Sequence, residues 1–324
     1  MTIYAVGNEH DSYKRHQTPR YQTATKSATA DYGITTSADG FAVLDIGSSL
    51  SECWVHFKYT PATILATANI TFLALHNLST GKDALRLVRS GSNGDIVLQY
   101  NNTGTTYTTI TTVATSGDAS THVVDMYFKR GGSGELRVFV NGTLRHTSTG
   151  SYVTVDATWD CVYLGAPFTN SNTYQFCDVI VADHPCIGYT LHSLTPSGAG
   201  TVNDWTGDYA DLLGTTGKVD KTKAIHSAAA GDDCLFAYED MTLPSGQQII
   251  AVSVATAASF EDSSGIADLE LLVRHAGSTT SEGSLGVVAN KGLFRGQKVL
   301  DLNPAGGTWT ESAVNAIEFG VRTT

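Results

Sequence analysis

The sequence is poor in charge. Only 16% of its 324 residues are Asp, Glu, Lys or Arg, while 32 are glycine, and uncharged Ser and Thr are frequent. Acidic residues outnumber basic ones by 31 to 20, which gives a net charge of −11. Binding to nucleic acid relies on basic residues that neutralise phosphates, so we expect no nucleic-acid partner.

Long apolar runs are missing as well. No stretch approaches the length of a membrane span, so we expect no insertion into a membrane. The first ten residues contain no basic segment followed by an apolar one, which is the pattern of a secretory signal. We therefore expect synthesis in the cytoplasm without a signal peptide.

Cysteine is scarce and irregularly spaced. The five cysteines include no CxxC pair, and several lie in apolar, strand-like segments, where a thiol behaves as a small hydrophobic group. This pattern predicts reduced, buried thiols rather than a disulfide framework or a metal site: Cys53, Cys161, Cys177, Cys186 and Cys234.

Local catalytic motifs are also missing. The sequence has no HExxH, no GxSxG elbow, no Walker loop and no GxGxxG motif after a strand. Asp268 and Glu270 have the i, i+2 spacing that would place two carboxylates on one strand face, as a retaining glycosidase requires. Apolar residues alternate with them, so the pair fits an ordinary solvent-facing strand. We expect no enzyme and no cofactor.

What is present is a dense pattern of β-strands. In residues 135–146, Leu136, Val138 and Val140 alternate with polar or aromatic residues. Asn141-Gly142 then supplies the positive φ angles of a two-residue hairpin turn. Similar strands and turns recur along the chain without a convincing helix, which predicts an all-β protein built on an antiparallel sandwich.

The same pattern predicts a division into four parts. Residues 1–40 are polar and are predicted to form an extended N-terminal arm. Residues 41–190 would form the sandwich, and residues 191–224, which contain several Pro and Gly, a connecting segment. Strand patterns resume in residues 225–324, which predicts a second, smaller β-sandwich domain.

Two regions resemble phage virion proteins. The strand–NG–strand hairpin at residues 135–145 and the later Val162-Tyr-Leu-Gly165 resemble laminin-G/concanavalin-A-like jelly-roll domains. Asn303-Pro-Ala-Gly-Gly-Thr-Trp309 and Val314-Asn-Ala-Ile-Glu-Phe-Gly-Val321 resemble a C-terminal β-domain of tailed-bacteriophage particles. The resemblance implies a virion structural protein made in the host cytoplasm, with other capsid or tail proteins as partners and assembly as a homo-oligomer.

Aromatic and amide side chains gather around the predicted loops at one end of the first domain. They have the composition of a carbohydrate-binding rim, but also of a core or a protein–protein interface. We take them as candidate glycan- or partner-binding residues: Tyr152, Trp159, Phe168, Asn170, Asn172 and Tyr174.

Some laminin-G-like domains hold a calcium ion with loop carboxylates. Calcium takes six to eight oxygen ligands, and the sequence does not reveal whether distant carboxylates converge. Weak candidates for a structural calcium site are Asp95, Asp118, Asp156 and Asp160.

The resulting expectation is a non-enzymatic phage virion structural protein. It would be a capsid decoration or head-fibre protein, or a short tail appendage, that contacts host-surface glycans. Two alternatives stay open: a tail fibre or spike that binds a receptor, and a glycan-degrading enzyme on a jelly-roll fold. The enzyme alternative predicts a convergent pair of carboxylates in a groove, and a structure without such a pair would rule it out.

Overall fold

The computed structural model of the chain describes residues 1–7, 21–22, 34–36, 41–61, 70–90, 95–103, 106–114, 121–154, 156–165, 174–212, 224–259, 268–287 and 293–324. Nearly all of its regular structure is antiparallel strand, which confirms the predicted all-β sandwich class. The chain forms two compact units, Met1–Leu191 and His192–Thr324. No helix among the described residues has the length and apolar character needed to cross a membrane.

Fourteen strands are described in the first unit. In chain order they are β1 (Ile3–Gly7), β2 (Tyr21–Gln22), β3 (Ile34–Thr36), β4 (Phe41–Leu50), β5 (Glu52–Pro61), β6 (Ile70–Asn77), β7 (Lys82–Arg89), β8 (Ile96–Asn101), β9 (Tyr107–Ala114), β10 (His122–Lys129), β11 (Gly131–Val140), β12 (Thr143–Tyr152), β13 (Trp159–Gly165) and β14 (Tyr174–Ala182).

These strands form two sheets. The eight-stranded sheet has the order β12-β11-β10-β5-β14-β3-β2, with β1 also paired to β14. The six-stranded sheet has the order β4-β13-β6-β7-β8-β9. Alternate residues of both sheets point into one shared core, in which Phe57, Phe72 and Trp159 are fully buried. The opposite residues form two outer faces, and one of these carries the site described below.

The predicted hairpin is present as expected. Asn141 and Gly142 have φ angles of +52° and +73°, and Val140 lies opposite Thr143 across the turn. Asn141 also accepts a hydrogen bond from the backbone N–H of Val123 at 2.9 Å. The side chain that permits the left-handed turn therefore also ties the hairpin to β10.

The second unit contains seven described strands, a 3₁₀ helix at Tyr209–Asp211 and one short α-helix. The strands and the α-helix are β15 (Pro196–Asn203), β16 (Asp233–Tyr238), β17 (Val252–Ser259), β18 (Asp268–His275), β19 (Ser278–Val287), β20 (Leu293–Leu300), α1 (Glu311–Asn315) and β21 (Glu318–Thr323). A five-stranded sheet has the order β15-β16-β21-β18-β19, and β17 pairs with β20. Leu271, Trp309 and Phe319 lie in its core.

The strand bounds differ from the predicted division at two places. Ile3–Gly7, within the predicted arm, is a strand of the eight-stranded sheet, and Ala5 is buried in the core. Pro196–Asn203, within the predicted connecting segment, pairs with β16 in the second unit. Pro196–Asn203 is rich in small residues and carries little strand signal in the sequence, whereas Ile3–Gly7 contains Ile, Tyr and Val, which favour strands, in a short run.

Candidate functional site

A row of polar side chains crosses the outer face of the six-stranded sheet. The strands alternate, so that leucines such as Leu75, Leu85 and Leu98 enter the core while their neighbours face outward. Because Arg86 lies directly opposite both Ala74 and Gln99, the outward positions of neighbouring strands are in register. We call the outward set the polar row: His76, Asp83, Arg86, Gln99, Tyr107 and Tyr163.

Asp83 is the centre of the polar row. Its Oδ1 lies 2.7 Å from Nδ1 of His76, and its Oδ2 accepts a 2.9 Å hydrogen bond from the hydroxyl of Tyr107. The side chains of His76 and Asp83 are 9% and 19% exposed. A carboxylate beside Nδ1 favours the tautomer in which Nδ1 carries the proton, so that Nε2 of a neutral His76 is the basic nitrogen. The Asp83 carboxylate thus orients two side chains, an imidazole that can accept a proton and a phenol that can donate one.

Arg86 occupies the neighbouring position of the same face. Its guanidinium carbon lies 3.2 Å from the centroid of the Tyr107 ring, a close cation–π contact. Its Nε donates a 2.9 Å hydrogen bond to Oε1 of Gln99, and Nε2 of Gln99 in turn donates to Oγ1 of Thr109 at 3.1 Å. The cation is therefore held in place from three strands before any ligand binds.

Two phenols of the polar row stay protonated at neutral pH. Burial, followed by the charge of Asp83, raises the pKa of Tyr107 to about 12. Burial also raises the pKa of Tyr163 to about 12, with smaller effects from Cys161, Asp83 and Asp160. The Tyr163 ring stacks on the His76 imidazole with ring centroids 4.0 Å apart. The row therefore combines a basic nitrogen, two proton-bearing phenols and a fixed cation.

The sequence gives no local signal for this arrangement. The six residues come from β6, β7, β8, β9 and β13 and span positions 76 to 163, so no short motif contains them. The available signal is weaker: the outward positions of β6 to β9 carry His, Arg, Gln and Tyr, where a plain solvent face would carry Thr, Ser and Lys. Sequence analysis missed every member of the polar row.

Two of the predicted binding residues lie in the core. Trp159 is fully buried and its ring lies 5.3 Å from that of Phe128. Tyr152 is 8% exposed and meets Phe128 and Tyr100 edge-on. Both side chains belong to the packed interior, so the prediction that they lie in an exposed binding rim is corrected. Apolar packing of large aromatic rings at strand ends explains the difference.

The other predicted binding residues are not described to the level of side chains. Phe168, Asn170 and Asn172 lie outside the described residues, and for Tyr174 only the backbone of β14 is described. Their role in binding a glycan or a partner stays a prediction.

Two of the candidate calcium ligands serve as hydrogen-bond acceptors in the described structure. Asp156 accepts a hydrogen bond from Oγ1 of Thr80 at 2.5 Å, and Asp160 accepts one from the backbone N–H of Leu78 at 2.9 Å, so both hold the β6–β7 turn. Asp95 lies at the start of β8, and Asp118 is outside the described residues. Within the described part of the chain, no group of three or more His, Cys, Asp or Glu side chains could hold a metal ion.

The spaced carboxylates of β18 make ordinary contacts. Glu270 accepts a 2.9 Å hydrogen bond from Ser281, and Asp268 accepts one from Ser284. Both serines belong to the neighbouring strand β19, so these acids form cross-strand hydrogen bonds on the sheet surface. All five cysteines are free and buried, as predicted.

A second set of charged side chains lies on the eight-stranded sheet, but it is buried. His56 and Asp125, on neighbouring strands, are each 1% exposed and joined by a 2.7 Å contact between Nδ1 and Oδ1. Lys58 and Asp178 form an ion pair beside them at 2.5 Å. The His56–Asp125 pair is therefore less exposed than His76 and Asp83, whose side chains are 9% and 19% exposed.

Several solved structures are similar to this chain at low identity. An endo-β-1,4-glucuronan lyase from the fungus Trichoderma reesei has a TM-score of 0.45 and 11% identity over 56% of this chain and 96% of that one. The globular domain of T. cruzi calreticulin has a TM-score of 0.42 and 12% identity, over 56% and 89%. An alginate lyase in complex with dimannuronate has a TM-score of 0.37 and 10% identity, over 47% and 75%. No protein-family model and no curated protein matches the sequence.

These comparisons contradict two predictions. One is the prediction of a non-enzymatic virion structural protein and the other is the prediction that the chain is not an enzyme; two of the three structures named are polysaccharide lyases and none is a virion protein. At such identities and TM-scores the similarity transfers no activity to this chain. The chemistry of the site therefore has to be argued from its own side chains.

Proposed function

We propose that this chain is a carbohydrate-active enzyme that cleaves an acidic polysaccharide by β-elimination at the polar row. The observation that carries the proposal is Asp83, whose two carboxylate oxygens hold the His76 imidazole and the Tyr107 hydroxyl side by side. The outer face of a sheet presents such groups on several neighbouring strands, which suits a long polymer that binds across them. Like the enzyme alternative left open above, the proposal is a glycan-degrading enzyme, but its acid–base groups are an imidazole and a phenol in place of a carboxylate pair.

In a β-elimination, a base removes the proton on the carbon next to the substrate carboxylate. We assign this role to Nε2 of His76, because Asp83 holds the proton on Nδ1 and stabilises the imidazolium that forms. The electrons of the broken C–H bond form a C=C bond, and the glycosidic C–O bond breaks. The imidazolium afterwards returns its proton to water.

The departing glycosidic oxygen needs a proton. Tyr107 carries one at neutral pH, because burial and the Asp83 charge raise its pKa to about 12. Its hydroxyl donates to the carboxylate that also holds His76, so the two proton-transfer groups lie side by side, and the O–H would turn from Asp83 to the departing oxygen during the step. After the step, the Tyr107 phenolate is neutralised from solvent, and Arg86 over its ring stabilises the negative charge meanwhile.

Arg86 and Gln99 would receive the substrate carboxylate. A guanidinium presents several donors in one plane, and it neutralises the charge that builds up on the carboxylate as the neighbouring C–H bond breaks. The hydrogen bond from Nε of Arg86 to Gln99 fixes the orientation of the guanidinium before the substrate arrives. This requirement restricts the proposed substrates to glycans that contain uronic acids.

Hydrolysis by two carboxylates fits the site less well. A glycosidase would need one carboxyl group as an acid and a second as nucleophile or base on the same face. Asp83 is engaged by His76 and Tyr107 through both oxygens, and so it orients other groups instead of acting directly. Elimination uses the imidazole, the phenol and the guanidinium that are present.

The test is an assay of the full chain against uronate polymers. Polyglucuronate, polymannuronate and polyguluronate would be supplied, with the neutral polymer dextran as a control. Cleavage by elimination produces a C=C bond conjugated with the carboxylate, which is followed by ultraviolet absorbance. We expect a signal with at least one uronate polymer and none with dextran.

Variants assign the roles. His76→Ala and Tyr107→Phe should each lower kcat by about 100-fold or more, the range of general acid–base contributions. Arg86→Lys should mainly weaken activity through lost bidentate binding. The matched control is the other sheet, where Arg137 lies over Tyr127 at 5.8 Å, so Tyr127→Phe and Arg137→Lys should leave the activity unchanged. Wild-type-like activity in both His76→Ala and Tyr107→Phe would refute the assignment.

The remaining predictions concern assembly. A homo-oligomer, contacts with other proteins and a location on a particle stay predictions, since the described structure is a single chain.

A further inference from the structure

The β6–β7 turn joins the two halves of the proposed dyad. It consists of residues 78–81 and is closed by a 2.9 Å hydrogen bond from the N–H of Gly81 to the carbonyl of Asn77. His76 comes just before the turn and Asp83 just after it, and the two lie opposite each other in the ladder. The register between β6 and β7 is irregular at this point, between Leu75 and His76. The pairing of the dyad therefore depends on the shape of this turn.

The turn is fixed from inside by Asn77. Its Oδ1 accepts hydrogen bonds from the backbone N–H groups of Ser79 and Thr80 at 3.0 and 3.1 Å, and from the hydroxyl of Ser79 at 2.7 Å. Its Nδ2 donates to the carbonyl of Thr158 at 3.1 Å. An asparagine that caps its own turn in this way leaves few conformations open to the backbone.

The turn is also held from outside, by the segment that leads into β13. Asp160 accepts a 2.9 Å hydrogen bond from the N–H of Leu78, and Asp156 accepts one from Oγ1 of Thr80 at 2.5 Å. The next residue after Asp160 is Cys161, which lies directly opposite His76 and whose thiol donates to the His76 carbonyl at 3.5 Å. The backbone of His76 is thus fixed by the same short segment that holds the turn.

We propose that Asp160, with Asp156 and Asn77, is a positioning residue that sets the His76–Asp83 geometry. It touches no substrate and acts through the turn. The inference rests on the proposed function for its catalytic consequence, but its structural consequence, the tautomer of His76, is independent of any activity. These two aspartates, considered above as calcium ligands, would be needed as hydrogen-bond acceptors for backbone and hydroxyl groups.

The experiment compares Asp160→Ala with Asp160→Asn in the full chain. The asparagine keeps an oxygen that accepts from Leu78, whereas alanine keeps none. The first readout is the ¹⁵N NMR spectrum of the histidine rings, with the His76 signal assigned by loss in His76→Gln. Wild type and Asp160→Asn should show the tautomer protonated at Nδ1, and Asp160→Ala should show a mixture of tautomers.

The second readout is kinetic, on whichever uronate polymer wild type cleaves. Asp160→Ala should lower kcat by about 10- to 100-fold with KM within about twofold, because misplaced groups affect chemistry more than binding. Asp160→Asn should stay within about threefold of wild type. The matched control is Asp204→Ala, which removes a carboxylate that accepts a backbone N–H in the second unit at 3.1 Å and should change neither readout.

The outcomes separate the two proposals. An unchanged His76 tautomer in Asp160→Ala would overturn the positioning role, whatever the activity. If wild type cleaves no uronate polymer but the tautomer shifts in Asp160→Ala, the positioning role holds and the proposed function fails. If Asp160→Ala does not fold, Thr80→Val, which removes only the hydrogen bond to Asp156, should shift the tautomer in the same direction, and no shift there would also overturn the role.

Discussion

Gly320 lies at the most crowded place in the second unit. It belongs to β21, between β16 and β18, and faces Leu235 on one side and Leu272 on the other. A Cβ added here would be 1.8 Å from the carbonyl oxygen of Cys234 and 2.8 Å from the Cα of Leu235. Both obstacles are backbone atoms, so no side-chain rotation relieves the clash.

The size of the effect of Gly320→Ala follows from these distances. An ordinary contact needs about 3.4 Å or more, so β16 and β21 would separate by about 1.5 Å, beyond what a close-packed sheet absorbs. Overpacking alone costs about 1–3 kcal/mol, and weakened ladder hydrogen bonds add about 1 kcal/mol each. We expect the free energy of unfolding of the second unit to fall by about 3 kcal/mol or more. Elsewhere in a strand, a Gly→Ala replacement stabilises by about 0.5–1 kcal/mol. The sign of the change in the free energy of unfolding therefore distinguishes a crowded position from an open one.

The assay is hydrogen exchange by mass spectrometry across a urea series on the full chain, following peptides that contain β16. The control is Gly198→Ala in β15, where the new Cβ would meet only Ala237 at 4.0 Å, so this replacement should stabilise by about 0.5–1 kcal/mol. If the amides of β16 are equally protected from exchange in Gly320→Ala and Gly198→Ala, the packing argument for this sheet is refuted.

Three further predictions concern ionisation and burial. Because folding raises the pKa of Tyr107 to about 12 from 10, the unfolded chain loses this proton first, so wild-type stability should fall between about pH 10 and 12 more steeply than that of Tyr107→Phe in urea titrations. Asp125→Ala should destabilise by about 3 kcal/mol in thermal or urea unfolding, because it leaves His56 buried without its carboxylate, and adding His56→Leu should recover part of the loss. Burial raises the pKa of all five cysteine thiols: Cys53, Cys161, Cys177, Cys186 and Cys234. A thiol reagent should therefore react about 100-fold more slowly with the native chain than with the unfolded chain. Rapid modification of even one cysteine in the native chain would contradict its burial.

Local chemistry made much of the fold predictable. The Asn141-Gly142 turn, the alternation in β11 and the buried cysteines all appear as the sequence indicates. The short helix Glu311–Asn315 is also set locally, because Thr310 caps its first turn by accepting a 3.1 Å hydrogen bond from the N–H of Ala313. In each case the decisive interaction involves residues within a few positions of one another.

The polar row could not be predicted in this way, because it depends on register. Tyr163 stacks on His76 only since β13 pairs with β6, and Tyr107 reaches Asp83 across two intervening ladders. A shift of one residue in any of these strands would turn the side chain into the core. Similarly, tryptophan is a residue type common in binding sites, and only the packing of the two sheets determines that Trp159 is buried.

The pairing of β1 with β14 has a consequence for synthesis on the ribosome. Gly7 lies opposite Val179, so the strand made first completes its ladder only after nearly the whole first unit has been translated. At about 5–20 residues per second, the wait is about 10 to 35 s. During this time Ile3 and Ala5, both buried in the finished protein, have no strand partner. Nascent chains should therefore bind chaperones at this segment, and slowed translation should lengthen that interaction.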